Sequence, residues 1–462
     1  MSTEAQVSGA RSRKARDGSL LDVCEQLVGL AKKVGASDAE AYAERTRDSS
    51  VKVREGNVEE LQQATSKGVG LRVFSAGRLG FAYGTDFSKE GLRRLAQSAV
   101  SLAKGAAKDE FNQLPRGTQL GRGREGAYDP AIEDIDPAWK LRVARAAENA
   151  ASQVDRRVSK FDSTGAGDFL SHSAIASSRG ASAESRASYV YLYCSPVAEA
   201  DGQLQTASWS DTRRRLSELQ PPEEIGRIAA QRAARMLGAR KVKTQKAAII
   251  FDPQQAAGFI AGLAGAVNGD LVHKKSSFLA VLLGRPVASE EVTLVDDATL
   301  ERGLATRPFD GEGVISQRTV VIERGVLKNF LYDTYTARKA GARSTANAAR
   351  GWSSLPHVGT SNFVLEAGGK RADEIVRNTK RGLLVTAMLG SGANVVTGEY
   401  SRGANGLWIE DGQIAHAVQE VTVSGSLLDL LQAIDAVGDD LDLRSSTAAP
   451  TVRIAEAVIS GS

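Results

Sequence analysis

The amino-acid sequence predicts an α+β protein of two domains. At 462 residues the chain exceeds what a single hydrophobic core usually serves. Segments of helical and strand periodicity alternate unevenly, and neighbouring strand segments are joined by turns rather than by regular crossover helices. No repeat of solenoid period is visible. We therefore expect an N-terminal α/β sandwich and a strand-rich C-terminal domain, rather than a doubly wound sheet.

Capping signals and turn residues predict the elements of the N-terminal domain, residues 19–243. Ser19 and Asp22 form a capping pair at the head of an apolar run with helical spacing, which Gly35 ends. The later elements are short strands across 39–83 with turns at 54–57 and 75–78, a helix across 88–105, an aperiodic connector across about 106–135, a helix from 136, strands around 188–194 and a helix across 222–237.

The C-terminal domain, residues 244–462, is predicted to follow a basic run at 240–243 and to consist mostly of strands and loops. Its predicted elements are a strand at 247–251 and helices near 254–268, 333–340, 371–379 and 426–436, the last capped by Ser426 and Asp429. In the first of these helices, Gly258, Gly262 and Gly265 lie on or near one side, which favours close packing against a neighbouring element.

Composition and charge are those of a soluble cytoplasmic protein. The chain carries 59 basic and 55 acidic residues, an excess too small and too dispersed to predict nucleic-acid binding. Residues 1–18 include a basic cluster but no apolar signal-peptide core, so we expect a disordered arm. The longest apolar and glycine run, 256–267, is shorter than the roughly 20 residues of a membrane span.

A glycine-dense loop from Gly390 to Gly406 is the most conspicuous feature of the sequence, and it suggests a phosphate-binding loop. Gly390 and Gly392 would open a dinucleotide-binding fingerprint, but Val395 occupies the position of the third glycine, and GxxxxGK[ST] does not occur. A structural loop is therefore favoured over nucleotide binding.

Other common catalytic patterns are missing from the sequence. It contains no GxSxG nucleophile elbow and no HExxH or HxxxH pair among its four histidines. Cys24 and Cys194 lie among apolar neighbours, which favours core packing over a reactive thiol.

Several separated motifs, in the right order, point to a known family. They are the segment 39–83, the segment from Phe251-Asp-Pro through Val267-Asn-Gly-Asp270 to Ser277-Phe-Leu279, Val295-Asp-Asp297, the segment 383–412, Val421-Thr-Val-Ser-Gly425 and Ala436-Val-Gly-Asp-Asp440. With these motifs the chain resembles the TldD/PmbA family, and specifically its PmbA (TldE) branch, from about Ser19 to Gly461.

The resemblance implies a two-domain protein that forms a dimer around an enclosed space. In this family the TldD-type chain is a zinc metallopeptidase, in which a helical HExxxH motif and a cysteine near the C-terminus hold the metal. Zinc bound beside a carboxylate activates water for hydrolysis.

In this chain the resemblance places the HExxxH motif on residues 260–265, where Ile260, Ala261 and Gly265 provide neither ligand nor general base. The cysteine-bearing loop would follow Asp442, where this chain is shorter and has no cysteine. Ala387 replaces an acidic residue that is common in the PmbA branch.

By resemblance, this is the non-catalytic PmbA/TldE-like subunit of a cytoplasmic TldD/TldE metallopeptidase complex that hydrolyses unfolded or leader peptides. The chain is then inactive alone and holds no cofactor, and the TldD-type partner holds zinc. Gly390, Gly392, Asn394 and Arg402 are expected near the dimer seam or chamber wall. The alternative is a metal-independent homodimeric protein that binds peptides or has a regulatory role. A modulator of DNA topology, suggested by older family naming, finds no support in the charge distribution.

Overall fold

A computed structural model describes residues 19–116, 127–390 and 392–461. The predicted N-terminal arm, residues 1–18, and part of the predicted connector lie outside these ranges. The described residues mix helices with hairpin-rich sheets, so the α+β prediction is confirmed. None of the helices in the described ranges combines the length and the apolar character needed to cross a bilayer.

The N-terminal half contains one large sheet and the helices that cover it. Its elements are α1 (Leu20–Lys33), β1 (Asp38–Arg54), β2 (Asn57–Ser75), β3 (Arg78–Gly84), α2 (Lys89–Gly105), α3 (Pro130–Glu133), α4 (Pro137–Val154), β4 (Val158–Ser177), β5 (Ser182–Ala200), β6 (Gln203–Thr206), β7 (Trp209–Arg213), a 3-10 helix (Leu216–Glu218) and α5 (Pro222–Ala234). The strand order is β3-β2-β1-β4-β5-β6, and β7 also pairs with β5.

The C-terminal half is built from shorter elements. They are β8 (Gln245–Phe251), α6 (Pro253–Ala261), α7 (Gly269–His273), β9 (Leu294–Asp297), β10 (Arg318–Glu323), β11 (Val326–Leu327), α8 (Thr334–Lys339), β12 (Ala348–Ala349), β13 (His357–Val358), β14 (Phe363–Leu365), α9 (Ala372–Arg377), β15 (Arg381–Leu389), β16 (Glu399–Glu410), β17 (Gln413–Ser426), α10 (Leu427–Gln432), β18 (Ile434–Val437), β19 (Thr447–Ala448) and β20 (Val452–Ser460). One sheet has the order β17-β16-β15-β8-β20-β18, and it closes on itself because β17 also pairs with β20.

Local sequence explains how the first elements form. The predicted capping box of α1 is present: the Ser19 side chain accepts from the first turn, and Asp22 accepts from the Ser19 N–H. The turn between β1 and β2 places Glu55 at φ 52° and Gly56 at φ 75°, the geometry of a tight hairpin turn whose twist matches that of the strands. The predicted turn at 54–57 is therefore confirmed.

The strands of this hairpin are long, with 17 residues in β1 and 19 in β2, and the prediction of short strands was wrong. Residues 57–67 of β2 are all exposed, so they lack the alternation of buried and exposed side chains by which a half-buried strand is recognised. Their pairing with β1 follows from the turn and from a ladder that continues through a register shift between Lys52 and Val53, rather than from burial.

Two helix predictions in the C-terminal half need correction. The helix predicted near 254–268 ends at Ala261, before Gly262, since glycine is a poor helix former. The helix predicted across 426–436 covers only α10, and the side chain of Ser426 makes no capping hydrogen bond. The N–H of Leu427 instead donates to the carbonyl of Gly398, 2.7 Å away.

The three largest hydrophobic clusters of the described residues form the cores of the fold. One lies between the N-terminal sheet and helices α1 and α2, a second between the same sheet and α4 and α5, and a third fills the C-terminal half. Cys24 and Cys194 are fully buried in the first two, and burial raises the thiol pKa of both, to about 12 for Cys194. The prediction that both cysteines are core residues is confirmed.

The two halves meet on the sheet face opposite the helices. Phe309 of the C-terminal half packs there against Tyr42, Ile175 and Ala183 of the N-terminal sheet. The same contact contains the buried ion pairs of Arg72 with Glu40 and Glu312, and of Arg350 with Glu40.

Candidate functional site

The candidate site is built around α6, whose last two residues, Ile260 and Ala261, begin the segment on which the resemblance placed the metal-binding motif. Asp252 caps this helix by accepting from the N–H of Gln255 at 2.9 Å, and Pro253 occupies its first position. Because α6 ends at Ala261, only Gly258 of the three predicted packing glycines lies within it. Gly262 is the C-cap residue, and Gly265 lies in the turns that lead to α7.

The three glycines face the glycine-dense loop. A Cβ atom added to Gly258 would lie 3.7 Å from a terminal nitrogen of Arg402, and one on Gly262 would lie 3.0 Å from the Cβ of Ala393. A Cβ on Gly265 would lie 2.9 Å from a methyl group of Val395. The structure therefore brings together two features that are more than 120 residues apart in the sequence.

Within the loop, Gly390 has a φ of 72°, which favours glycine. A Cβ at Gly392 would overlap the side chain of Arg402 and lie 3.0 Å from the carbonyl oxygen of Ser401. The Asn394 side chain accepts from the N–H groups of Val396 and Thr397, which closes a turn. Gly392 and Asn394 thus shape the loop internally, and Arg402 brings it against α6.

The side chains at the expected motif position do not fit a zinc ion. Ile260 is fully buried in the C-terminal core, Ala261 lines a cavity, and Gly265 has no side chain. Zinc in proteins is bound by imidazole, thiolate or carboxylate groups. Across the described ranges, no group of three such side chains lies close enough together to hold a metal ion.

Arginine side chains lie beside α6 instead. The Arg402 guanidinium approaches Gly258, and Arg444 lines the same cavity as Gly258 and Ala261. Arg444 pairs with Asp442, and its Nη1 donates to the carbonyl of Ser210 at 2.8 Å.

Trp209 links this region to the N-terminal half. The Arg444 guanidinium lies 3.8 Å from the centre of the indole ring, and that of Arg232 lies 5.2 Å from it. Arg232 also donates to the carboxylate of Asp252 and to the carbonyl of Thr386, each at 2.9 Å. Trp209 and Arg232 therefore join β7 and α5 to the N-terminus of α6.

Two cavities adjoin this arrangement and share Gln254. The first, about 370 Å³, is lined by residues of α6, by Ser210 and by the segment from Asp442 to Thr447. The second, about 430 Å³, is lined mainly by amide and hydroxyl side chains, which are Ser195, Gln205, Thr206, Ser208, Gln254, Gln255, Thr386 and Asn405. Such groups donate and accept hydrogen bonds without carrying charge.

Ala387 lies on the wall of the 430 Å³ cavity, opposite Asn405 in the β15–β16 ladder. The ladder shifts register between Val385 and Ala387. An acidic side chain, expected here from the PmbA branch, would add a negative charge to a cavity that Arg232 also lines.

Sequence reasoning missed Trp209, Arg232, Arg444 and the amide side chains of the second cavity. Arg444 belongs to a segment that drew attention only because it lacks a cysteine. Trp209, one of four tryptophans, lies between two predicted elements with no motif around it. Since each of these residues acts through contacts that are distant in the chain, the sequence gave no signal for them beyond the rarity of tryptophan.

Family comparisons cover most of the chain. Residues 39–103 match a family model described as PmbA/TldA metallopeptidase domain 1, residues 130–237 match the central domain, and residues 244–461 match the C-terminal domain. The metalloprotease PmbA of Escherichia coli O157:H7 is 32% identical over 455 residues, covering 95% of this chain and 96% of that protein. A PmbA homologue of Haemophilus influenzae is 31% identical and covers 97% of each.

Solved structures show the same architecture. A Thermotoga maritima protein described as a proposed modulator of a DNA gyrase superposes with a TM-score of 0.88 at 27% identity, over 96% of this chain and 100% of that one. TldE from Thermococcus kodakarensis superposes with a TM-score of 0.87 at 24% identity, over 95% and 99% respectively, and this supports the fold. The chain therefore belongs to the PmbA/TldD metallopeptidase family.

Proposed function

We propose that this chain is the non-catalytic, PmbA/TldE-like subunit of a cytoplasmic TldD/TldE-type complex that hydrolyses unfolded or leader peptides. A TldD-type subunit with an HExxxH motif holds the zinc and performs the hydrolysis. The observation that carries the proposal is the set of side chains at the motif position on and after α6, where Ile260, Ala261 and Gly265 provide no metal ligand.

Electrostatics at the same place support a subunit without metal. The guanidinium groups of Arg402 and Arg444 lie beside Gly258 and Ala261. Asp442 offsets the charge of Arg444, whereas the charge of Arg402 would raise the energy of a divalent cation placed close to it in the partly buried site. The contact of Arg402 with α6 also depends on Gly258 and Gly392, which leave room for its side chain.

The two cavities support a role in holding peptide. Their walls provide amide, hydroxyl and backbone groups, which suit the N–H and C=O groups that every peptide shares. Recognition through main-chain groups gives affinity with little dependence on side chains. Such a surface fits a complex that accepts unfolded peptides of varied sequence.

The test is to express this chain with and without an HExxxH relative from the same genome. The purified chain alone is expected to hold no stoichiometric zinc and to cleave no peptide. Mixed with the relative, it should form a complex that cleaves peptide, and the zinc of that complex should be bound by the relative. A relative in which the motif glutamate is replaced by glutamine is the control, and it should assemble without cleavage.

One tightly held zinc per chain in the isolated protein would overturn the proposal. Self-association, with no pairing to the relative and no restored cleavage, would instead indicate the metal-independent homodimeric peptide-binding or regulatory protein. DNA binding that weakens steeply with added salt would favour a role on DNA.

A further inference from the structure

A row of aromatic rings crosses the sheet of the N-terminal half. Tyr189, Tyr191 and Tyr193 alternate along β5 with the buried Val190, Leu192 and Cys194. Alternate residues of a strand point to opposite faces, so the three tyrosines share the face away from α4 and α5. Phe169 of β4 pairs with Tyr189, and their rings stack with centroids 5.0 Å apart. We call these four residues the aromatic ladder.

The ladder lies on the same sheet face as the contact between the two halves. Ile175 follows Phe169 by six residues on β4, and Ala183 precedes Tyr189 by six residues on β5, so these even separations place them on the same face. Both pack against Phe309 of the C-terminal half. One part of this face is therefore covered within the chain, whereas the rings of the ladder are only half-buried.

Two glycines hold the rings in place. Gly167 pairs with Tyr191 and Gly165 with Tyr193 across the β4–β5 ladder. A Cβ at Gly167 would lie 2.5 Å from the ring of Tyr191, and one at Gly165 would lie 2.9 Å from that of Tyr193. The rings of Tyr191 and Tyr193 therefore pack directly against the backbone of β4 at these glycines. Because their positions are restrained before any ligand arrives, binding would cost little side-chain entropy.

Ring spacing suits an extended peptide. The centroids of Tyr189 and Tyr191 are 6.5 Å apart. An extended chain rises about 3.3 Å per residue, so its alternate side chains recur every ~6.6 Å on one side. Apolar side chains at alternate positions of a peptide would therefore meet successive rings.

The ladder is continuous with the candidate site. Tyr193 pairs with Ser210 and Cys194 with Trp209 in the β5–β7 ladder. Ser210 lines the 370 Å³ cavity, and Ser195, the residue after Cys194, lines the 430 Å³ cavity. A chain lying along the rings would thus reach α6 without leaving the surface.

The phenol groups of Tyr189 and Tyr191 remain neutral in ordinary buffers. Burial, followed by the negative charge of Asp48, raises the pKa of Tyr189 above its usual value and that of Tyr191 to about 12. Phenol groups are therefore available as neutral hydrogen-bond donors and as apolar contact surface.

We propose that the aromatic ladder of Phe169, Tyr189, Tyr191 and Tyr193 is a docking strip for an extended peptide with apolar side chains at alternate positions, and that it directs the peptide towards the cavities beside α6. This inference rests on the proposed function, because it takes the peptide substrate of that complex as the ligand.

The probe is a pair of short fluorescein-labelled peptides of equal composition, one with leucines at alternate positions and one with its leucines in adjacent pairs. Fluorescence anisotropy with the full chain should show tighter binding of the alternating peptide. Tyr191→Ala should weaken that binding by about tenfold, since a well-placed aromatic contact contributes roughly that factor. Tyr191→Phe, which keeps the ring, should retain it.

Two further variants separate ring placement from ring removal. Gly167→Ala should weaken binding with every ring still present, because the added Cβ displaces Tyr191. Tyr83→Ala, which removes a ring that is 56% exposed on the edge strand β3, is the matched control and should bind as the wild type does. Circular dichroism establishes that each variant is folded.

The outcomes separate this inference from the proposed function. In the complex with the HExxxH relative, Tyr191→Ala should raise KM for the alternating peptide and leave kcat unchanged. If the complex cleaves peptide but the folded Tyr191→Ala and wild-type proteins show equal binding and equal KM, the ladder proposal is wrong and the proposed function stands. If no complex forms, yet binding depends on leucine spacing and on Tyr191, the ladder proposal stands and the proposed function fails.

Discussion

Removing Arg72 is expected to destabilise the contact between the two halves strongly. Its Nη2 lies 3.0 Å from Glu40 and 2.9 Å from Glu312, and its side chain is 7% exposed. Burial by itself would lower the pKa of Arg72, but the two carboxylates raise it above the ordinary value, so the guanidinium stays charged. Arg350 pairs with the other oxygen of Glu40 at 2.5 Å.

The magnitude follows from what the substitution Arg72→Leu leaves behind. Glu40 keeps Arg350, whereas Glu312 keeps the N–H of Thr334, which donates to its other oxygen at 2.8 Å. Glu312 is 1% exposed, so its charge is then buried without a counterion. Removing one partner of a buried ion pair typically costs about 3–5 kcal/mol. That cost lowers the folding equilibrium constant by roughly two to four orders of magnitude.

Urea denaturation followed by circular dichroism measures this loss. The matched control is Glu456→Gln, which breaks the exposed pair with Lys246 and should cost less than about 1 kcal/mol. Adding Glu312→Gln to Arg72→Leu should recover part of the loss, since the unpaired charge is then gone. A loss below about 1 kcal/mol for Arg72→Leu, or a double variant no more stable than the single one, would refute the reasoning.

Two further predictions concern the loop and a buried carboxyl group. Gly392→Val should destabilise the chain by about 1–3 kcal/mol and impair assembly with the HExxxH relative, because its Cβ would overlap Arg402. Urea denaturation and gel filtration test this against the control Gly369→Val, where an added Cβ meets nothing within 4 Å. Equal behaviour of the two variants would count against the packing role of Gly392. Burial and the charge of Glu312 raise the pKa of Asp310 to about 7. The folded chain therefore keeps a proton on Asp310 that the unfolded chain releases above about pH 4. The stabilisation by that proton is lost as the pH rises through 7. The unfolding free energy of Asp310→Asn relative to wild type should therefore increase between about pH 5 and pH 8, and a difference that does not vary with pH would contradict the assigned pKa.

Local signals predicted much of the fold, because caps and turns depend on a few neighbouring residues. The Ser19–Asp22 capping box and the turn at 54–57 are both present. The length of β2 was missed, since its exposed part has no burial pattern to reveal it. The end of α6 was missed as well, because the glycines that follow it continue the apolar pattern without supporting a helix.

The candidate site was predicted only in part, for a physical reason. Gly258, Gly262 and Gly265 were recognised as packing positions, but the sequence did not indicate that the neighbouring element is the loop with Gly392 and Arg402. Trp209 and Arg444 are in contact although they lie 235 positions apart in the sequence. The hydrogen bond from Arg444 to the carbonyl of Ser210, the residue after Trp209, spans 234 positions. Composition and periodicity report the neighbourhood of a residue along the chain and carry no information on such pairs.

The ion pairs between the halves also constrain the order of events during synthesis. Glu312 follows Arg72 by 240 residues, and Arg350 follows Glu40 by 310. At about 5–20 residues per second, a ribosome needs roughly 12–48 s to add the first of these intervals. Within that time, once Ile175 and the other strands of the sheet have been added, the sheet face around Tyr42 and Ile175 lacks its cover. A nascent chain is therefore most exposed to chaperones, proteases and wrong partners in the interval before Glu312 and Arg350 leave the ribosome.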